Sequence, residues 1–525
     1  MWISGWRDKV WADLDRKFDI VIIGGGITGA GILREARRAG LQAVLFEQHD
    51  FASGTSSRSS KLVHGGLRYL RNFQMKLTYE SVHERERLLK EGRGLVTPLP
   101  FLMANFRRDK IPGWVFGIGL SVYDILALKW NHAAYNPSGL RELCPQLTSP
   151  EMVSGYRYFD AQTDDARLVL RLILEATQDG ALALNYARVE RLLTAKGRIC
   201  GVAVSDLAID GGRTVEVQAR AVINATGAWA DELRQQAGER ARLRILRGGH
   251  LFFPWSKLPL TRAVTFLHPK DGRPVFIFPW EGVTLVGTTD VDHHNGLATD
   301  LRISGEEAEY LMDSVTHAFP ALDLSLKDVQ STLAGVRAVI DTGKVDPSKE
   351  SREYVLWNET GLLTVAGGKL TTFRVMAQTA LQATQAALPN HPRPRKDMRV
   401  LDPLPDETKV CGQVEPSLRL RLVGRYGNET CNLVEAAQGG EFTRIGDSPA
   451  LWAELRWAAR AEGVVHLDDL LLRRVRLGII HPGGGLYDLE RIRSIVQGEL
   501  GWSDKRWKEE AEAYRKIWQS YYSLV

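Results

Sequence analysis

The chain has 525 residues, 44% apolar and 25% charged, with a formal charge of +5. At about 150 residues per domain it has room for roughly three domains, and the composition excludes a disordered chain, a collagen or a coiled-coil rod. Four scattered cysteines, Cys144, Cys200, Cys411 and Cys431, form no CxxC and no Cys/His cluster, which argues against a disulfide scaffold, an iron–sulfur centre and a bound metal, and fits a reducing compartment.

Residues 1–17 mix acids with bases and lack an apolar stretch, so they do not read as a secretory signal. Within them Trp2, Trp6, Val10 and Leu14, continued by Phe18, recur every fourth residue. On a helix they make one apolar stripe, which either packs against the protein or lies among membrane headgroups.

The apolar run Asp19–Ile23 is of strand type and enters Gly24-Gly25-Gly26-Ile27-Thr28-Gly29, a GxGxxG. Helical pattern follows through Ile32, Leu33, Ala36 and Ala39 to Gly40, and a second strand, Ala43–Phe46, ends at Glu47, 18 residues after Gly29. This is a dinucleotide-binding βαβ unit. Gly24 permits the tight turn, Gly26 lets the backbone approach a pyrophosphate, and Gly29 lets helix and strand pack closely. The helix N-terminus, with Ile27 and Thr28, faces the phosphates, and Glu47 accepts from a ribose hydroxyl. A later apolar strand, Ala221–Asn224, ends in Ala225-Thr226-Gly227-Ala228-Trp229; paired with the first motif, this second turn favours FAD over NAD.

Between Arg58 and Arg93 nine Lys/Arg face four Glu. Such a run is either a solvated helix face or a surface for an anionic ligand or membrane. Ile111–Trp130 is apolar but is broken by Pro112, Asp124 and Lys129. That excludes a spanning helix and leaves core packing or shallow insertion. No GxSxG elbow supports a hydrolase, and without an RNA-module motif a net charge of +5 does not call for nucleic acid as a partner.

The stretch Gly54-Thr55-Ser56-Ser57-Arg58-Ser59-Ser60-Lys61-Leu62-Val63-His64-Gly65-Gly66-Leu67-Arg68-Tyr69-Leu70 resembles the signature of FAD-dependent, quinone-linked glycerol-3-phosphate dehydrogenases of the aerobic type. Further matches follow in order: Asp164–Val169, Asn224–Gly227, Gly287–Asp290, Gly335–Arg337, Gly367–Thr372 and Asp469–Arg474. The resemblance implies an α/β and α+β multidomain fold, with a glutathione-reductase-like FAD domain, an inserted mainly β substrate domain and a helical C-terminal domain. On these expectations 1–17 is an amphipathic extension. The FAD domain takes 18–100, 155–232 and 332–390, and the substrate domain takes 101–154 and 233–331. The Pro- and charge-rich 391–402 is a linker, and 403–525 is helical.

The resemblance also implies noncovalent FAD, held by the first motif and by Thr55, Ser56, Ser57, Lys61, His64, Gly65, Gly66, Val189, Ala225, Thr226, Gly227, Trp229, Gly335, Arg337, Gly368, Lys369, Leu370 and Thr371. Oxidising a secondary alcohol with a flavin needs a hydride acceptor, a base for the hydroxyl proton and, for a phosphorylated substrate, cations on the dianion. By resemblance Arg68, Tyr69 and Arg352 hold substrate, and Arg337 and Lys369 lie nearer the reacting carbon. A cation at Lys369, after a Gly-Gly turn, would also stabilise negative charge developing at the flavin. His250 is the first candidate base; His64 and Lys369 remain open.

The expected partners are glycerol 3-phosphate, membrane quinone and an anionic membrane met peripherally at the inner face of the plasma membrane from the cytoplasm, with a homodimer left open. Relatives that use oxygen carry a long insertion, and the chain leaves no room for one between Val291 and Gly335. An oxidase of glycerol phosphate, a flavin oxidase of another alcohol or an amine, and a flavoprotein whose basic face binds RNA or lipid are the alternatives.

Overall fold

The computed structural model describes residues 2–67, 74–209, 212–294, 296–297, 301–344, 350, 353–388, 392 and 397–524. Arg68, Tyr69, Arg352 and most of the expected linker lie outside them.

The first sheet is built on Phe18–Ile23, six consecutive buried residues. A strand buried along its whole length must be covered on both faces, as the strands of a parallel sheet are by the elements that pack on it. Its parallel order is Leu362–Gly367, Thr214–Asn224, Phe18–Ile23, Ala43–Phe46 and Leu182–Leu184. Tyr354–Glu359 closes one edge antiparallel, and the hairpin of Ala187–Ala195 and Arg198–Asp206 continues from Thr214–Asn224. Helices Ile27–Arg38, Asp165–Gln178 and Phe373–Ala383 pack on one face through Ile32, Leu33, Ala36, Val169, Ile173 and Phe373.

The N-terminal helix, Trp6–Ala12, packs towards the other face, with Trp11, Leu14 and Phe18 buried against Val21, Val44 and Val222. Trp2 is buried and stacks on Phe51 at 5.0 Å. Trp2, Leu14 and Phe18 therefore point into the protein and Trp6 and Val10 are half-buried, so the every-fourth-residue stripe is a packing face.

The second, ten-stranded sheet runs through Val291–Asp292, Leu243–Pro254, Val283–Gly287, Pro274–Trp280, Ala263–Leu267, Val96–Phe106, Met152–Thr163 and Leu62–Val63. Ser331–Ile340 pairs along nearly all of Leu243–Pro254, so it joins this sheet rather than the cofactor sheet. Val96–Phe106 and Met152–Thr163 likewise form one long pair that runs across positions 100 and 155, where the sequence suggested domain boundaries, with a register shift only at Asn105–Phe106. A two-residue period marks a strand but does not say which sheet it enters.

Helix Gly305–Ala318 covers one face of this sheet. The other face meets the C-terminal helices Trp452–Ala461, Leu489–Leu500 and Asp504–Tyr521 through Trp452, Leu455, Ile492, Trp507 and Tyr514. Buried ion pairs lock the C-terminal region to the loops and helix ends of the cofactor domain: Arg474, ending Asp469–Arg474, grips both oxygens of Asp50 at 2.6 and 2.7 Å, and Arg425 of helix Pro416–Tyr426 reaches Asp164, the N-cap of Asp165–Gln178, at 2.8 Å.

Candidate active site

A cleft of about 490 Å³ opens along the C-terminal ends of the parallel strands. At that edge the βα turn begins with Gly24 at φ +108°, and a Cβ there would lie 2.6 Å from the Ala225 carbonyl of the neighbouring strand end. Gly29 is excluded from the cleft wall because it supports it: a Cβ would lie 1.9 Å from the Gly24 carbonyl, so helix and turn can touch only at glycine. The Ser56 hydroxyl accepts from the Ile27 N–H at 2.9 Å, and one Glu47 oxygen accepts from Gly25 N–H at 2.7 Å. Burial pushes the Glu47 carboxyl above its usual range, against the pull of these backbone donors.

Gly24, Gly26, Ile27, Thr28 and Glu47 line one stretch of the cleft; Thr55, Ser56 and Val189 line it further, opposite Ala225, Thr226, Gly227 and Trp229. Arg337, Gly368, Lys369 and Leu370 complete the wall. The two cations arrive from sequence-distant elements, a strand and a turn. Arg337 ends the Gly335–Arg337 run on Ser331–Ile340, where a Cβ at Gly335 would lie 2.5 Å from the Arg58 Cβ. Lys369 follows Gly367 and Gly368, both at positive φ, and leads into helix Phe373–Ala383. Asp290 forms an ion pair with Arg337, and Arg273 donates to the Asp290 carbonyl at 2.6 Å.

A family model described as FAD dependent oxidoreductase matches residues 19–374, and one described as the C-terminal domain of alpha-glycerophosphate oxidase matches 360–507. The aerobic glycerol-3-phosphate dehydrogenase of Staphylococcus saprophyticus is 33% identical over 97% of this chain and 95% of its own length. That of Bacillus subtilis is 39% identical over 71% of this chain and 68% of its own. The chain belongs to the aerobic glycerol-3-phosphate dehydrogenase family, whose members are FAD-dependent oxidoreductases. The solved glycerol-3-phosphate dehydrogenase of Bacillus halodurans, complexed with FAD, superposes with a TM-score of 0.80 at 28% identity, covering 99% of this chain and 98% of that one.

The cleft suits that family's cofactor. The Cβ-free approach at Gly24 and Gly26, the first-turn N–H groups of helix Ile27–Arg38 and the Glu47 carboxylate are the donor and acceptor set that a dinucleotide needs. Several residues expected on FAD lie behind the wall instead. Lys61 is fully buried, with Nζ 3.0 Å from Asp165 Oδ1 and 3.0 Å from the Ser57 carbonyl, and burial next to Arg476 brings its pKa down to about 8. Its position is that of a buried ion pair beneath the cofactor turn. Ser57 is buried, and its carbonyl also accepts from Arg476 at 2.9 Å. The Gly65 N–H donates to the Tyr123 hydroxyl at 2.9 Å and to Asp160 at 3.1 Å, next to Gly66 at φ +79°. The His64 carbonyl accepts from the Thr371 hydroxyl at 3.3 Å, which joins the two segments.

His250 stands on Leu243–Pro254 with its ring over Gly287, where a Cβ would lie 2.2 Å from Cδ2. It is 2% exposed, does not line the cleft, and lies 2.8 Å from the Ser60 hydroxyl through Nε2. Burial, and then the charges of Lys61 and Arg337, push its pKa down to about 3, so the imidazole is neutral at pH 7. Sequence reasoning missed Ser60 and Asp290 as partners of site residues. Ser60 and Asp290 lie inside quoted motifs, but nothing in the motifs says which side chain each would meet.

Proposed function

We propose that this member of the family oxidises sn-glycerol 3-phosphate to dihydroxyacetone phosphate and passes the electrons to a membrane quinone, held peripherally at the inner face of the plasma membrane. The observation that carries the reading is the meeting of Arg337 and Lys369 on the wall of one dinucleotide cleft. Cations there suit an anionic substrate whose reacting carbon lies near Arg337 and Lys369, with its phosphate left to the expected ligands Arg68, Tyr69 and Arg352. FAD, when bound, supplies the two-electron, hydride-accepting chemistry.

The chain's own groups do the rest. Arg337, oriented by Asp290, and Lys369 hold the substrate and offset negative charge as it develops. His250, neutral and buried behind the cleft wall, receives the hydroxyl proton through the Ser60 hydroxyl to which it is hydrogen-bonded, as the carbinol hydrogen leaves. Glu47 and the turn at Gly24–Gly26 fix the nucleotide end. Arg68, Tyr69 and Arg352 remain expected substrate ligands.

Anaerobic mixing of the yellow holoenzyme with glycerol 3-phosphate tests this directly. Bleaching of the flavin band, absent with unphosphorylated glycerol, is the expected result; no bleaching overturns the assignment. Stoichiometric hydrogen peroxide in air, with no turnover by a quinone analogue, would favour an oxidase instead.

A further inference from the structure

Helix Gly113–Leu126 is unusual among the surface elements of this molecule. Its inner face is buried through Leu120, Tyr123 and Asp124. Its outer face carries Trp114, Val115, Ile118 and Ile125, which are 65%, 38%, 58% and 63% exposed. The turn that follows adds Leu128 at 87% and Trp130 at 67%. The helix's one ionisable acid, Asp124, is turned inward, where it accepts from the Asn131 and His132 N–H groups at 2.8 and 3.0 Å and so holds the turn in place. The neighbouring helix, Met75–Glu91, exposes Met75 and Tyr79.

At 14 residues the helix is about 21 Å long, too short to cross a bilayer. Among the described residues no helix is long and apolar enough to do so. The rim is basic: Arg107, Arg108, Lys110 and Lys129 are all exposed. Glu151 and Glu86 lie 3.7 and 3.6 Å from Arg108 and Lys129, and Asp109 turns back to accept from the Phe106 N–H, so Arg107 and Lys110 carry the excess charge. An apolar face with tryptophans at both ends and a positive rim is the pattern of an element lying in the headgroup zone of an anionic membrane.

We propose that the outer face of Gly113–Leu126, with the turn to Trp130, is the surface that inserts shallowly into an anionic bilayer. The proposal rests on the membrane-linked reading above and says which surface makes the contact. The same helix touches the cofactor region from within, because its Tyr123 hydroxyl accepts from Gly65 N–H and a Cβ at Gly119 would lie 3.8 Å from Leu67. Seating this face on lipid therefore brings the His64–Gly66 segment, already joined to Thr371, close to the phase that carries a lipid-soluble acceptor.

The test is co-sedimentation of the FAD-loaded enzyme with vesicles of phosphatidylcholine alone or with one third phosphatidylglycerol, next to dye-linked turnover of glycerol 3-phosphate in solution. The wild-type enzyme should pellet with the anionic vesicles. The Ile118→Glu/Ile125→Glu variant should pellet at least about tenfold less, and Arg107→Glu/Lys110→Glu should lose the preference for anionic lipid, both with dye-linked turnover unchanged.

If the first variant misfolds, quenching of wild-type tryptophan fluorescence by brominated lipid replaces it: quenching that Trp114→Phe/Trp130→Phe abolishes supports the proposal. Variants that pellet like wild type overturn this surface and leave the membrane-linked reading standing. Wild type that ignores both vesicle types overturns both. A self-association in sedimentation velocity that only the apolar-face variant loses, with no vesicle binding, assigns the face to a second copy of the chain and overturns the proposal. Loss of dye-linked turnover in wild type is a separate failure, of the enzyme assignment alone.

Discussion

The Thr55 hydroxyl donates to the Val336 carbonyl across 2.6 Å. This bond ties the turn that enters the cofactor cleft to the strand residue just before Arg337. The cation proposed to meet the substrate and the loop that lines the cofactor cleft are therefore positioned against each other, although 281 residues separate the two bonded groups.

Arg337→Ala should lower kcat/KM for glycerol 3-phosphate at least about a hundredfold, equivalent to about 2.7 kcal/mol of transition-state binding, with flavin content intact. Asp290→Asn keeps the shape but removes the charge that orients the guanidinium. A smaller loss, about tenfold and mainly in KM, is expected from weakened substrate positioning. Steady-state kinetics on both variants checks the order of the effects; equal wild-type values would remove this ion pair from the site.

His250→Asn should suppress anaerobic flavin reduction while FAD stays bound, because the ring contacts Ser60 and the Gly287 backbone rather than the cleft wall. Stopped-flow absorbance measures the reduction rate, and a rate within about threefold of wild type, small beside the 10²-fold or more expected of a general base, would move the base elsewhere.

Gly29→Ala should yield protein without flavin. The added methyl carbon would lie 1.9 Å from the Gly24 carbonyl, a backbone atom that cannot turn aside. The ratio of flavin to protein absorbance reads the outcome directly. A stoichiometric yellow variant would show that the turn can shift.

Asp50→Asn leaves Arg473 and Arg474 facing a neutral group in a buried setting and should cost roughly 3–5 kcal/mol of stability at pH 7. The two guanidiniums hold the Asp50 carboxyl down at about 2 against the opposing effect of burial. A carboxyl with a depressed folded pKa contributes stability that is complete above its unfolded value of about 4 and drains away as pH falls towards the folded value. The share of the difference in thermal midpoint due to the Asp50 charge should thus be lost as pH falls from about 4 towards 2. A difference independent of pH down to about 2 would show that charge is not the cause.

The sequence by itself determined the cofactor half of this protein. The strand Asp19–Ile23, the glycines at 24, 26 and 29 and the acid at 47 act within one βαβ unit, where chain neighbours are also spatial neighbours, so spacing alone carries the chemistry. Only the tertiary structure decided what lies opposite them. The tryptophan stripe at the N-terminus reads equally as a membrane face or a packing face, and the burial of Trp2, Leu14 and Phe18 settles it as packing. Lys61 stands in a flavin-type motif, yet folding pairs it with Asp165, 104 residues away. Arg473 and Arg474 lie 423 and 424 residues from Asp50 and brace the loop after the second strand. Such partners are chosen by which strand enters which sheet and which helix covers it, and a local hydrophobic period holds no information about either.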